Sequence, residues 1–343
     1  MVGVDIGTSS IKVVEISRWG DGKTLENYAE VKSKFISQGP LINTQQKGSL
    51  FSAGPISQAL RVIWNEANIK TKPVIFSIPD FFTFSTSFDI PIMPAKEIPA
   101  AISYNASQYI TLPVSEVTLD WKIIPNPPGA KKTLQKVFLV AVPNQVVQEY
   151  QKMAAMAGLE IYALEAEALS IARSLVRQNK KTVCLLDIGV QSSTVNIIDD
   201  GFLRRSYSFN FYGSKLSNAV SSALGIAYEK AEEIKDKEGI LSSKPGVAET
   251  LYVQIDPLLR EIKSISGEFS QSEQKEVQEI YLTGGTANLP GLKEYLTESL
   301  GKNVVIPNCF SDFLYPPILE ENLKEMSPRF SAAVGVALSG LEK

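Results

Sequence analysis

The sequence contains no histidine. That excludes every mechanism built on imidazole: Ser-His-Asp or Cys-His activation of a nucleophile, histidine-ligated zinc, a histidine general base. Cysteine is nearly as scarce. Cys184 and Cys309 stand far apart with no metal-ligand spacing around either, and they read as buried thiols in a reducing compartment. Charge is almost balanced, 34 Lys and Arg against 37 Asp and Glu for a net −3, so nothing draws the chain to nucleic acid. No run approaches the ~18 apolar residues of a membrane span. The N-terminus enters a strand without a basic stretch, which predicts no signal peptide, no direct membrane insertion and a cytoplasmic protein. Chemistry is left to carboxylates, lysines, hydroxyls, backbone amides and a bound metal.

What is present is an ordinary globular composition, 44% apolar and 21% charged over 343 residues, enough for two domains or one large composite. The most informative stretch is the first. Val2 to Ile6 is an apolar strand ending in Asp5; Gly7-Thr8-Ser9-Ser10 turns, and Ile11 to Ile16, with Lys12, is a second strand. The design returns at Cys184 to Ile198, where Asp187, Gly189, Gln191, Ser192 and Ser193 repeat acid, glycine and polar turn. The offset between the two acids slightly exceeds half the chain, which predicts one duplicated domain and two half-molecules facing one ligand. Gly22-Lys23-Thr24 has the ending of a P-loop, but the first glycine would have to stand at Ser17, so a hairpin turn is expected there.

Between the copies the pattern predicts a helix over Ile56 to Asn65 and a strand over Pro73 to Pro79. A β-α-β-β-α-β unit then runs from Phe84 to Glu165: strand Phe84 to Ile90, helix Lys96 to Tyr109, strands Val117 to Ile124 and Leu134 to Val142, helix Asn144 to Ala157, strand Leu159 to Leu164. It reads as an insertion into the first domain, and Pro125 to Lys132 as its loop. Ala166 to Val176 is expected to be helical. After the second copy, Ser214 is expected to cap a helix, Tyr228 to Glu238 forms another, and residues 246–269 form a helix interrupted at Asp256-Pro257. The buried strand Ile280 to Leu282 runs into Thr283-Gly284-Gly285-Thr286-Ala287-Asn288. Leu292 to Leu300 is a helix and Val304 to Ile306 a strand. Phe330 to Leu341 is a helix rich in small residues, which would let another helix approach closely.

The turns suit a nucleotide polyphosphate with Mg²⁺. Gly7 and Gly189 let backbone amides approach phosphate oxygens without a Cβ in the way. Ser9, Ser10, Ser192 and Ser193 offer hydroxyls, and Lys12 a compact positive charge. Asp5 and Asp187 would hold Mg²⁺ through the waters that this ion sheds reluctantly. Gly284 and Gly285, entering a helix, leave room for a flat ring or a phosphate. Glu232 and Lys235 share a helix face, where a surface ion pair is the plain alternative to a ligand contact.

Taken together, the Asp5, Asp187 and Gly284-Gly285 turns and two small-residue helices resemble the five motifs of the superfamily of actin, the heat-shock chaperones and the sugar kinases. The resemblance implies an α/β actin-like ATPase fold whose first two turns are phosphate loops and whose Gly-Gly turn, with Thr286 and Asn288, meets adenosine. It puts Lys12 on phosphate, places Gly213 and the Glu232-x-x-Lys235 pair at the nucleotide, and gives Glu167 the water-positioning role of the hinge helix. The implied cofactors are ATP or ADP and Mg²⁺, with Mg²⁺ on Asp5 and Asp187 and hydrolysis slow at most. The implied division is 1–83 with 166–180 and 329–343 as the first core, 84–165 as the insertion, 181–213 with 279–328 as the second core, and 214–278 as a helical subdomain.

Within the superfamily, the insertion and the string DIGTSSIKVVEI resemble the FtsA and type IV pilus PilM branch. FtsA would continue into a linker and an amphipathic membrane helix, whereas this sequence stops soon after its hinge-type helix, so the resemblance favours the PilM family. It implies a cytoplasmic ATP-binding adaptor, peripheral to the inner membrane. The adaptor would hold the N-terminal cytoplasmic peptide of a PilN-like protein in a groove between the first domain and the insertion, with pilus motor ATPases and self-association as further contacts. The alternatives are an FtsA- or MreB-like filament former and a small-molecule kinase of the same superfamily. A GspL-like secretion adaptor would carry a membrane span.

Overall fold

A computed structural model describes residues 1–343 except 21, 37–40, 43–49, 125–132, 177–178, 210 and 343. The expected loop Pro125 to Lys132, and Asp21 just before the expected turn at Gly22, lie outside the described residues. The first half supplies β1 (Val2–Ile6), β2 (Ser10–Trp19), β3 (Gly22–Lys32), α1 (Ala53–Glu66) and β4 (Pro73–Ile78). There follow β5 (Phe84–Pro91), α2 (Ile98–Ala106), β6 (Val117–Ile124), β7 (Leu134–Pro143), α3 (Asn144–Ala157), β8 (Glu160–Ala166) and α4 (Glu167–Leu175). The second half supplies β9 (Val183–Ile188), β10 (Ser193–Asp199), β11 (Phe202–Phe209), α5 (Gly213–Leu224), α6 (Tyr228–Glu238) and α7 (Val247–Glu273). It closes with β12 (Glu279–Thr283), α8 (Leu292–Leu300), β13 (Asn303–Val305), β14 (Phe313–Leu314) and α9 (Glu320–Ser339).

The two halves repeat one topology. The first sheet has the order β14-β3-β2-β1-β4-β8 and the second β11-β10-β9-β12-β13. In each, two antiparallel hairpin pairings give way to parallel pairings, β1 with β4 and β9 with β12. The central strands β1 and β9 are apolar almost throughout because both of their faces are covered. Even the hairpin register is shared. Asp5 lies opposite Lys12 and Asp187 opposite Thr194, and Gly7 and Gly189 each donate a backbone N–H to the serine carbonyl three residues on, at 3.0 and 2.9 Å.

The inserted unit is smaller than its sequence pattern suggested. Only β5, β7 and β6 form its three-stranded sheet. β8 instead pairs in parallel with β4, and the buried side of α3 (Val146, Tyr150, Met153) shares a core with Ile56 and Leu60 of α1. Strand β8, expected to close the unit at 84–165, is therefore hydrogen-bonded into the first sheet. Neighbourhood in sequence is a poor guide here because β4 offers an edge already surrounded by apolar side chains.

Two helices join the halves. α4 and α9 pack together so closely that a Cβ on Gly335 would overlap the Ser170 carbonyl, and β1 lies equally close to α9, where one on Gly3 would overlap the Ala333 carbonyl. The small residues of α9 thus do what their pattern predicts. α9 begins ten residues before the expected start and carries Pro328 inside it. The Pro328 carbonyl accepts from the Gly284 N–H at 3.0 Å and the Thr283 hydroxyl at 2.7 Å. α7 runs unbroken through Pro257, contrary to the expected interruption, since Leu251, Ile255, Leu258 and Ile262 on both sides of it are buried in one core.

Candidate functional site

Between the halves lies a cavity of about 680 Å³. One wall is the first hairpin with Asp5, Gly7, Thr8, Ser9, Ser10 and Lys12; the facing wall is the second, with Asp187, Gly189, Gln191 and Ser192. Glu167 lines it from the start of α4, Gly284, Gly285 and Thr286 from the turn after β12, and Glu232 and Lys235 from α6. Residues from both ends of the chain and from each of its copies thus meet at one place.

Three expected residues do not line it. Ser193, the first residue of β10, is fully buried with its hydroxyl unpartnered. Gly213 sits behind the second hairpin, where a Cβ would stand 2.5 Å from the Thr286 hydroxyl; its N–H donates to the Gly189 carbonyl at 2.9 Å. Asn288 is exposed and donates to the Glu325 carbonyl at 2.8 Å. Ser214 is not the N-cap of α5, which Tyr212 occupies; its N–H donates to the Val190 carbonyl, so the hairpin itself satisfies the helix start. Glu232 and Lys235 do not pair with each other: Glu232 accepts from the Tyr228 hydroxyl at 3.4 Å and Lys235 meets Asp236 at 3.1 Å.

The electrostatics are those of an acid cluster short of cations. Burial, then repulsion from Asp80 and Asp5, pushes the Asp187 carboxyl up to about 7. Burial, then Asp5, Asp187 and Asp80, holds Glu167 well above the usual carboxylate range, with Lys12 offsetting part of the rise. Lys12 bridges Asp5 at 3.2 Å. Burial alone would lower its pKa, yet Asp5, Glu30 and Glu167 together raise it. One Asp5 oxygen is buried without a partner. Buried Asp5 with its orphaned oxygen and half-buried Asp187, each beside a glycine turn, fit a divalent cation held through its waters and carrying a polyphosphate; among the described residues no three such side chains converge to hold a metal directly.

Several wall residues carried no motif. Arg329 of α9 pairs with Glu30 at 2.9 Å, and Glu30 lies directly opposite Lys12 across β2 and β3. That chain of charges becomes visible only when the strand register is known. Tyr228 stands four residues before Glu232 on α6 and was legible from helical spacing.

A second cavity, of about 890 Å³, lies on the other side of the hinge. Trp121 and Phe138 of the inserted sheet, Phe202 at the start of β11, Leu338 near the end of α9 and Leu341 just past it belong to its apolar lining. Arg173 of α4 stands in it, gripped by both Glu165 oxygens at 2.5 and 2.7 Å and by Glu342 at 3.0 Å.

Residues 3–341 match the family described as type IV pilus assembly protein PilM. The chain belongs to that family. With membership come the type IV pilus assembly role and the actin-like ATPase fold. Among solved structures it resembles a PilM–PilN type IV pilus biogenesis complex, with a TM-score of 0.81 at 23% identity, covering 100% of this chain and 98% of that one. The ethanolamine utilization protein EutJ of Carboxydothermus hydrogenoformans is more distant, with a TM-score of 0.59 at 18% identity over 98% of this chain and 88% of its own. Cell division protein FtsA of Pseudomonas aeruginosa is 24% identical, covering 100% of this chain and 89% of its own, and FtsA of Enterococcus faecalis is 22% identical, covering 90% and 78%. Among the described residues, no helix is long and apolar enough to cross a membrane.

Proposed function

We propose that this member of the family is an ATP-binding adaptor at the cytoplasmic side of the inner membrane. The observation that carries the nucleotide reading is the pair of matching hairpins facing each other across one acid-rich cavity. Asp5 and Asp187 would hold Mg²⁺, which in turn neutralises phosphate charge. Lys12 and the hydroxyls of Ser9, Ser10 and Ser192 would meet the phosphates, and Gly284-Gly285 with Glu232 and Lys235 would meet the nucleoside. Glu167 would hold a water. In the ligand-free cleft, burial and the neighbouring acids keep its carboxyl protonated to higher pH than that of a free glutamate.

The second cavity is the candidate for the N-terminal tail of a PilN-like partner. Its volume falls in the range of ordinary ligand pockets, and aromatic side chains with a few fixed charges are the lining such pockets use. The FtsA relatives favour a filament-forming reading only through a fold common to both. Titrating a labelled synthetic peptide of the partner's cytoplasmic tail tests the adaptor reading. Wild-type protein is expected to bind it, and Trp121→Ala to weaken binding at least about tenfold, as loss of an aromatic anchor does. No binding with ATP–Mg²⁺ present, or equal affinity in the variant, would contradict the assignment.

A further inference from the structure

We propose that Asp80 is a positioning residue of the nucleotide site, fixing the start of α4 and thereby Glu167 in the floor of the cleft. The inference rests on the nucleotide reading above. Pro79 and Phe81 line the cavity, whereas Asp80 points behind its wall and would not touch a bound ligand. What it touches is the hinge. One carboxylate oxygen accepts from the Ala168 N–H at 3.0 Å, 88 residues away in sequence, and the Asp80 N–H donates to Glu167 Oε2 at 3.4 Å.

The helix needs that help, because Ala166 in the N-cap position has no side chain that can cap. A carboxylate at a helix N-terminus also opposes the partial positive charge there. Asp80 is 7% exposed. The side chains of Thr194 and Asn196 on β10, from the second half, face the same carboxyl. Asp80 therefore sits where both halves and the hinge meet.

The internal repeat gives an independent reason. Ser77 lies beside Asp5 in β4 as Thr283 lies beside Asp187 in β12. In the second half, Thr283 and Gly284 grip α9 through the Pro328 carbonyl. In the first half, the turn after the matching strand grips α4 through Asp80. Each hinge helix is held by the turn that follows the strand beside a hairpin.

The test measures ATP–Mg²⁺ affinity by calorimetry, with ligand-free melting temperature recorded alongside, for wild type, Asp80→Ala, Asp80→Asn, Glu167→Ala and the Asp80→Ala/Glu167→Ala pair. Asp80→Ala is expected to weaken binding at least fivefold. Asp80→Asn keeps the acceptor for the Ala168 N–H and is expected to bind within twofold of wild type. In the Glu167→Ala background, Asp80→Ala is expected to change affinity less than twofold, because its effect passes through Glu167. Should the alanine chain not fold, Asp80→Ser, with a shorter acceptor, takes its place and is expected to lie between the other two. Unchanged affinity with only a lower melting temperature would overturn the proposal, as would equal losses in both backgrounds or an asparagine variant as weak as alanine. A wild-type protein that binds no ATP would instead overturn the nucleotide reading on which it stands.

Discussion

Asp187 has its carboxyl pushed up to about 7 and Asp80 to about 6, in both cases chiefly by burial. An acid with a folded-state pKa above its unfolded one binds protons that the unfolded chain has already shed. The stability it contributes is full below about pH 4 and is lost as pH rises through about 7. Ligand-free protein should therefore melt at a lower temperature at pH 8 than at pH 5, by a few degrees on a scale of roughly 2–4 °C per kcal/mol. Asp187→Asn should flatten that slope; melts in nucleotide-free buffer check it, and an unchanged slope would put the Asp187 assignment in error. Asp5 and Asp187 were legible because acid, glycine and hydroxyl recur in order at the two turns, and Lys12 because it is a lone positive charge in the apolar strand after the first of them. Asp80 was not, since in sequence it is one acid between a strand and two phenylalanines, and its partners lie 87 and 88 residues on.

The elements most readable from sequence were those whose burial follows their own period. In α1, Ile56, Leu60 and Ile63 are buried at helical spacing, as expected. The misreadings share a cause: packing from elsewhere in the chain overrode a local signal. Pro257 marked a break, yet α7 is held straight through by the core on both sides of it. The start of α9 was hidden by the charged run Glu320 to Lys324 and by Pro328. β14, two residues long, acquires its meaning only from parallel pairing with β3. Close helix contact was readable from small residues, and it yields a paired prediction. Gly335→Ala should destabilise by about 1–3 kcal/mol, because the new Cβ meets the α4 backbone. Gly267→Ala, in α7 with open space around it, should instead stabilise by up to about 1 kcal/mol. Chemical denaturation of the two variants gives both signs; a neutral Gly335→Ala would mean that the hinge helices do not pack as described.

At the scale of the molecule, duplication was legible because one motif appears twice, and the shared strand order and hairpin register bear it out. The true extent of the inserted sheet was not, because nothing local tells β8 which sheet it will join. Nor was the relation between the two cavities. Glu167 and Ile171 of α4 line the first, while Leu169, Ala172 and Arg173 of the same helix line the second. Toward the end of the chain, Pro328, Ser331 and Ala332 of α9 face the first, and Leu338 the second. Two helices therefore wall both cavities.

All of this stands on the claim that the two hairpins face one nucleotide. Calorimetric titration of ATP–Mg²⁺ into the protein, its Asp5→Ala variant and its Asp187→Ala variant tests that claim most directly. The expected result is one site per chain, weakened at least about tenfold, or ~1.4 kcal/mol, by either substitution alone. No binding to the wild-type protein, or affinity that survives the loss of both acids, would contradict it.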